Sequence, residues 1–260
     1  MIEIKNLYKS YNGNPVLNNM NLTINRNEIL VILGRSGVGK SVLLKHIIGI
    51  EQPDSGSVFI NNVNITTLKA PKIYEVVQNM GMLFQNAALF DSMNIEQNTG
   101  FYLSHNKDPL TKKFLTKEEK KERVVSALKM VDLENDLKKM PSDLSGGMKK
   151  RAALARMIAY RPDILLYDEP TTGLDPITSQ HINELIVKIQ NELRGTSIIV
   201  THDIHSAWFI ADRLALHRDG RIAFIDTPNN FIEIDDPEIA YLKKSLTCYP
   251  RGRTEGEKNV

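Results

Sequence analysis

The run Gly34-Arg35-Ser36-Gly37-Val38-Gly39-Lys40-Ser41 fits the spacing G-x-x-x-x-G-K-[ST]. Glycines at that spacing let successive backbone N–H groups turn inward as an anion nest, and the N-terminus of a following helix adds partial positive charge. Lys40 then pairs with the β- and γ-phosphates of a nucleotide, and the Ser41 hydroxyl is offered to Mg²⁺. A second group, Asp168 and Glu169, closes the apolar run Ile164-Leu165-Leu166-Tyr167. One carboxylate there serves Mg²⁺, usually through water, while the other polarises an attacking water as general base. Adjacent acids often do no more than end a strand or cap the next helix, and it is the upstream phosphate loop that gives this pair a chemical reading. A third element, Leu144-Ser145-Gly146-Gly147-Met148, precedes a helix expected over Lys149 to Tyr160, so Ser145 and the two glycines form another helix-N-terminal anion site. Two phosphate cradles with one nucleotide pocket per chain suggest that the nucleotide is shared between subunits.

Such groups need strands to end at them and helices to begin at them. Short apolar, often β-branched runs at Ile29–Leu33, Val58–Ile60, Met80–Phe84, Ile164–Tyr167 and Ser197–Val200 read as buried strands. The phosphate loop follows the first of these and opens a helical run from Ser41 to Ile48. From Thr178 to Arg194, Ile182, Leu185, Ile186, Ile189 and Leu193 recur on one helical face. Alternation of strand and helix predicts an α/β fold with a mostly parallel sheet. The stretch from Asn86 to Arg161 shows no buried strand and reads as a helical insertion. Within it Thr116 and Glu119 have the form of a capping box, ahead of an apolar stripe of Val124, Leu128 and Val131. The lysine-dense run 111–122 reads as a solvated helix face, and Trp208 as a core residue.

Composition bounds the rest. The 260 residues carry 33 Lys+Arg against 31 Asp+Glu, a net charge of +2, and 42% are hydrophobic, which excludes disorder for most of the chain. Near-neutral charge gives no argument for nucleic acid as a partner, so a polyanion must be held locally. The one cysteine, Cys248, excludes an intrachain disulfide and a thiolate metal cluster, so a reducing compartment is expected. No apolar run approaches the roughly 18 residues that span a bilayer, and the N-terminus has no signal core, so the chain is expected neither to cross a membrane nor to be exported by itself.

Together with Thr171-Thr172-Gly173-Leu174-Asp175-Pro176 and Val200-Thr201-His202-Asp203, these motifs resemble the nucleotide-binding domain of ABC transporters over about residues 1–231. The resemblance implies a P-loop NTPase of RecA-like kind with an antiparallel β N-terminal part. It implies one ATPase domain over 1–235, with a core of 1–85 and 162–235 and a helical subdomain of 86–161, followed by a C-terminal helix and tail over 236–260. ATP and Mg²⁺ are the implied ligands, with the loop Gly34–Ser41 on the phosphates. By the same resemblance Tyr11 stacks on adenine, although a lone Tyr serves equally as an ordinary aromatic. Gln85 contacts Mg²⁺ and the attacking water, with Ser41 and Asp168 also serving the metal. Glu169 is the base, and His202 the switch histidine that contacts the γ-phosphate and orients Glu169. Ser145, Gly146 and Gly147 close on the γ-phosphate held by the other subunit's Lys40, and Asp175 communicates across the dimer. Leu89, Phe90 and Met93 read equally as a socket for a permease's coupling helix or as the subdomain's own core.

Within the family, Met148 in place of the usual glutamine, the continuation Lys149-Lys150-Arg151-Ala152-Ala153-Leu154-Ala155-Arg156, and the words Leu89–Met93 and Thr201–Ala207 are similar to the ATPases of MCE-type lipid transporters. That similarity implies a homodimer working with an integral membrane permease and an MCE-type lipid-binding protein, peripheral on the cytoplasmic face of the inner membrane. Gln97-Asn98-Thr99-Gly100 departs from the acidic helix start expected there. ATPases of other importers or exporters share the chemistry. Ribosome- or DNA-associated members usually carry two cassettes or a long coiled coil, which this chain lacks. The last eleven residues, rich in charge and glycine, are expected to fray, and their reaching onto a neighbouring subunit is an open alternative.

Overall fold

The apolar runs form strands, and their neighbours along the chain are helices. In the computed structural model, which describes residues 1–108 and 111–246, the strands are β1 (Ile2–Tyr11), β2 (Asn14–Ile24), β3 (Ile29–Leu33), β4 (Ser55–Ile60), β5 (Val63–Asn64), β6 (Met80–Leu83), β7 (Ile164–Asp168), β8 (Thr196–Thr201), β9 (Arg213–Arg218) and β10 (Arg221–Asp226). The helices are α1 (Lys40–Ile47), α2 (Ala70–Val77), α3 (Ile95–His105), α4 (Lys117–Met130), α5 (Gly146–Ile158), α6 (Pro176–Leu193), α7 (Ile204–Ile210), α8 (Pro228–Phe231) and α9 (Pro237–Leu246). The chain divides into two units, one of residues 1–78 with the chain from Thr196 onward, the other Asn79–Gly195.

In the first unit, β1 pairs antiparallel with both β2 and β4, in the order β2-β1-β4-β5. The β1–β2 hairpin closes through Asn12 and Gly13 at φ 51° and 80°. Positive φ at both central residues is what a two-residue hairpin turn needs to match strand twist. A second set runs β10-β9-β3-β8, with β3 parallel to both β8 and β9 and the β10 edge antiparallel. All five residues of β3 are buried, as a strand covered on both faces must be.

The second unit pairs β6 parallel with β7 and carries α3 to α6. The capping box forms: the Thr116 hydroxyl accepts from Glu119 N–H at 3.2 Å and the Glu119 carboxylate from Thr116 N–H at 2.7 Å. Val124, Leu128 and Val131 are buried below it. Gln97 and Asn98, the departure noted above, have local work of their own. Gln97 completes a second capping box with Asn94, and buried Asn98 clamps the preceding loop by accepting from Phe90 N–H and donating to the carbonyls of Phe90, Met93 and Asn94.

Two expectations are corrected. The helix expected from Lys149 begins three residues earlier, at Gly146, because Ser145 caps it and the first turn of a helix has no intrahelical N–H bonds for glycine to weaken. Trp208 is half-buried rather than core, since short α7 buries the face of Ile204, Ala207 and Ile210, to one side of position 208. The expected tail segment beyond Leu246 lies outside the described residues. Among the described residues no helix is long and apolar enough to cross a membrane.

Candidate functional site

In the first unit, β3 ends into the Gly34–Ser41 loop and α1 starts at Lys40. Gly39 caps the helix at φ 101°, a conformation closed to most L residues, and a Cβ there would lie 2.5 Å from the Val16 side chain. Arg35, Ser36 and Gly37 are exposed at the top of the loop, Val38 and Ser41 half-buried, and Gly34 and Gly39 buried at its base. Lys40 is buried at 5% exposure, its ammonium donating to the carbonyls of Gly34 at 2.7 Å and Arg35 at 3.0 Å. A concave loop of main-chain N–H groups with a lysine at its base is fit to bind a polyphosphate.

The same unit holds Tyr11 and His202. Tyr11 ends β1 with its ring 39% exposed; its hydroxyl donates to Glu51, and Lys9 Nζ lies 5.4 Å from the ring centroid. Partial desolvation, the bond to Glu51 and the nearby Glu51 and Asp54 charges push the phenol up to about 12, so it stays protonated. His202 is exposed in the turn between β8 and α7, whose first residues are capped by the Asp203 carboxylate. Beneath the loop sits His217, which sequence reading passed over. It is 1% exposed, its carbonyl and Cβ crowd Gly34, its ring edge approaches Gly39, and neither ring nitrogen has a hydrogen-bond partner. Burial, helped by the charge of Lys40, lowers its pKa to about 4, so the ring is neutral at pH 7. An isolated histidine in an apolar strand gives no sequence signal of its place.

In the second unit, β7 ends in Asp168 and Glu169, both buried. Glu169 takes φ 48°, left-handed backbone for a non-glycine residue, and its carboxylate accepts from the Thr172 hydroxyl at 3.0 Å. Gln85 follows β6 with its side chain exposed. These two segments meet through a residue the motif reading did not single out. Buried Lys150 donates to the Gln85 carbonyl at 2.6 Å and the Glu169 carbonyl at 3.2 Å. Burial lowers its pKa, while the charges of Asp168 and Glu169 act against that shift.

Ser145, at the N-terminus of α5, accepts from Met148 N–H at 3.3 Å. Gly147 lets that helix start lie close to α6, where a Cβ would come within 2.5 Å of the Thr178 methyl; a Cβ on Gly146 would touch only Leu174, at 3.4 Å. Asp175 caps α6, accepting from the N–H groups of Ile177 and Thr178 and the Thr178 hydroxyl, and those bonds lower its pKa. Thus Ser145, Gly147 and Asp175 come together at two adjoining helix starts. Leu89 and Met93 are half-buried and Phe90 is 40% exposed, so this segment faces solvent rather than filling a core. Ala87 and Ala88 both take positive φ, and their carbonyls accept from Arg156.

A family model described as ABC transporter matches residues 17–172. The chain is 36% identical over 98% of its length to a probable ribonucleotide transport ATP-binding protein, mkl, of Mycobacterium leprae, covering 72% of that protein. It is 38% identical over 95% of its length to the spermidine/putrescine import ATP-binding protein PotA of Haemophilus influenzae, covering 62% of it. Among solved structures, a dimeric ATP-binding cassette in a post-hydrolysis state with ADP and Pi superposes with TM-score 0.78 at 31% identity, over 88% of this chain and 99% of that one. The cbiO1 cassette of Clostridium perfringens, part of the ABC transporter complex cbiONQ, gives TM-score 0.81 at 32% identity, over 95% and 94%. A cradle for phosphates, a strand-end acid pair, and family matches across nearly the whole chain place it in the ABC transporter family, as an ATP-binding cassette with ATPase activity.

Proposed function

We propose that this cassette energises lipid transport by an MCE-type system across a cell envelope, as a homodimer on the cytoplasmic face of the inner membrane, joined to an integral permease and an MCE-type lipid-binding protein. The observation that carries the reading is the wording after the signature serine, Met148-Lys149-Lys150-Arg151, together with the match to the mkl protein over 98% of the chain. The relatives differ in cargo, ribonucleotide for one and spermidine/putrescine for another, so they do not choose between readings. Polyamine import is the second reading, favoured by the 38% identity to PotA.

In the proposed reaction the main-chain N–H groups of residues 34–41 and the Lys40 ammonium bind the β- and γ-phosphates of ATP, with Tyr11 on the adenine. Glu169 takes the proton of a water that Gln85 contacts and that attacks the γ-phosphate in line, ADP departing as the phosphoanhydride bond breaks, while His202 contacts the γ-phosphate and orients Glu169. The Ser145 hydroxyl and the helix-end N–H groups of Gly146 and Gly147 of the second copy close on the γ-phosphate, and Asp175 relays between copies. Dimer formation is supported by the dimeric state of the similar cassette. The candidate metal donors are the Ser41 hydroxyl, the Gln85 amide and the Asp168 carboxylate, an all-oxygen set of the kind Mg²⁺ takes, and a buried acid such as Asp168 suits a cation. Bound there, Mg²⁺ would neutralise charge on the phosphates. We assign residues 86–161 as the helical subdomain that meets the permease, with the half-exposed 89–93 loop as its socket.

The test is affinity purification of the Glu169→Gln form from membranes, with bound proteins and lipids identified by mass spectrometry. Recovery of a permease with an MCE-type protein and phospholipid is expected. A permease without either overturns the lipid reading.

A further inference from the structure

We propose that Lys150 is a positioning residue for ATP hydrolysis, tying the main chain of Gln85 and of Glu169 to α5. The proposal rests on the assignment of Gln85 and Glu169 above. Lys150 lies in the second turn of the helix that Ser145 caps, and its ammonium reaches two carbonyls far apart in sequence, Gln85 at 2.6 Å and Glu169 at 3.2 Å. One cation thus joins the segment bearing the water-orienting amide, the segment bearing the base, and the helix whose first turn is the signature.

Glu169 needs such a hold. At φ 48° it occupies backbone space that a non-glycine residue keeps only when its surroundings over-determine it. Its carbonyl accepts from both Lys150 and Thr172 N–H, and its carboxylate from the Thr172 hydroxyl. The main chain is therefore held at the Glu169 carbonyl, directly after the acidic side chain. On the Gln85 side, Ala87 and Ala88 also take positive φ, and their carbonyls accept from Arg156, farther along the same helix. Helix α5 thereby grips the 85–88 segment at two points with charged donors, which make stronger bonds to a carbonyl than neutral ones.

The chemistry of position 150 argues for use of the charge rather than for packing alone. A lysine at 5% exposure gives up most of its hydration. A methionine would fill similar volume without that penalty. The ammonium donates to both carbonyls, and a methionine could donate to neither.

The test compares Lys150→Met, Lys150→Arg and Glu169→Gln in the full chain, each measured for turnover against ATP concentration, folded fraction by circular dichroism, and amide hydrogen exchange. Lys150→Met is expected to lower kcat about 20-fold with KM for ATP moved less than about 3-fold, since geometry at the reacting water is lost while the phosphate loop is not. Lys150→Arg, which keeps charged N–H donors, is expected to recover kcat to within about 3-fold of the natural chain. Hydrogen exchange should rise in peptides covering both 85–88 and 169–173. A Lys150→Met enzyme with unchanged kcat, beside an inactive Glu169→Gln, overturns the Lys150 proposal alone. So does a loss of kcat that matches the loss of folded protein and is shared equally by the arginine variant. An active Glu169→Gln overturns the assignment of the base, and the proposal with it.

Discussion

At the Gly34–Ser41 loop the groups proposed to face a phosphate are main-chain N–H groups and one lysine, whose ammonium is held by two carbonyls of the loop itself. In the Asn79–Gly195 unit the proposed roles fall more on side chains: carboxylates at the end of β7 for water and metal, and a serine and an aspartate capping two helices. The loop's proposed function is written into backbone conformation, so Gly34 and Gly39 leave no room for a Cβ while the loop asks little of neighbouring side chains. The second unit depends on ionised groups that must be aimed, and aiming is done by other residues, Lys150 on the main chain of Glu169 and Thr172 on its carboxylate. Substitutions that preserve shape but change charge should therefore damage the second unit most. Substitutions that preserve charge but add a methyl should damage the first.

The largest expected effect is on the acid. Glu169→Gln keeps the shape and the Thr172 contact but removes the proton acceptor, so turnover should fall about 1,000-fold, about 4 kcal/mol of barrier, with ATP binding retained. Single-turnover hydrolysis beside nucleotide-binding titration checks this, and near-normal turnover would remove the base from the second unit.

Next comes the methyl. Gly39→Ala forces a φ of 101° on a residue with a side chain and drives its Cβ to 2.5 Å from Val16 Cγ1 and 3.1 Å from the Val16 carbonyl. Left-handed strain of about 1–2 kcal/mol and overpacking of about 1–3 kcal/mol add to roughly 4 kcal/mol of lost stability. Gly147→Ala meets the Thr178 methyl at the same 2.5 Å, but that contact is with a side chain, and φ there is ordinary. Its cost should be well below that of Gly39→Ala in denaturant titrations. Equal costs would break the contrast between a backbone-built and a side-chain-built half.

His217 sharpens the loop side. Above pH 6.5 its imidazole is neutral in the folded and the unfolded chain alike. Between 6.5 and about 4 the unfolded chain binds a proton that the folded chain refuses, so stability falls as pH falls through that window. At 1% exposure the effect reaches roughly 3 kcal/mol by pH 4. Thermal unfolding of the natural chain and of His217→Leu from pH 7 to pH 4 should diverge in slope, the leucine variant losing less. Parallel curves would show the ring to be protonated in place.

The contrast also explains what was legible in the sequence. The phosphate loop is local, eight residues that carry their own spacing, and its strand, loop and helix follow in the expected order. The Thr116–Glu119 box and the buried stripe behind it are local in the same sense. Lys150 is not, because its partner Gln85 lies 65 residues away and only the pairing of β6 with β7 and the path of α5 bring the carbonyls within its reach. The start of α5 is not legible because two glycines suggest a loop before the helix, and only the bond from Met148 N–H to Ser145 shows that they form its first turn. Trp208 was misread because a large apolar residue on a short helix need not lie on its buried face.

The smallest effect separates two roles of one residue. Ser145 caps α5 through its bond from Met148 N–H, and its hydroxyl is also proposed to meet a phosphate of the second copy's nucleotide. Ser145→Ala removes both and should cost about 1 kcal/mol of stability. Ser145→Gly should recover most of that stability, since glycine at a helix cap costs only a few tenths of a kcal/mol relative to serine. If the hydroxyl serves the cap alone, turnover per folded molecule will be the same in the two variants and near that of the natural chain. If it also faces the phosphate, turnover will stay low in Ser145→Gly although stability has returned. Measuring unfolding midpoint and kcat on the same preparations distinguishes the two, and the second outcome would extend to Ser145 the dependence on aimed side chains that sets this unit apart from the loop.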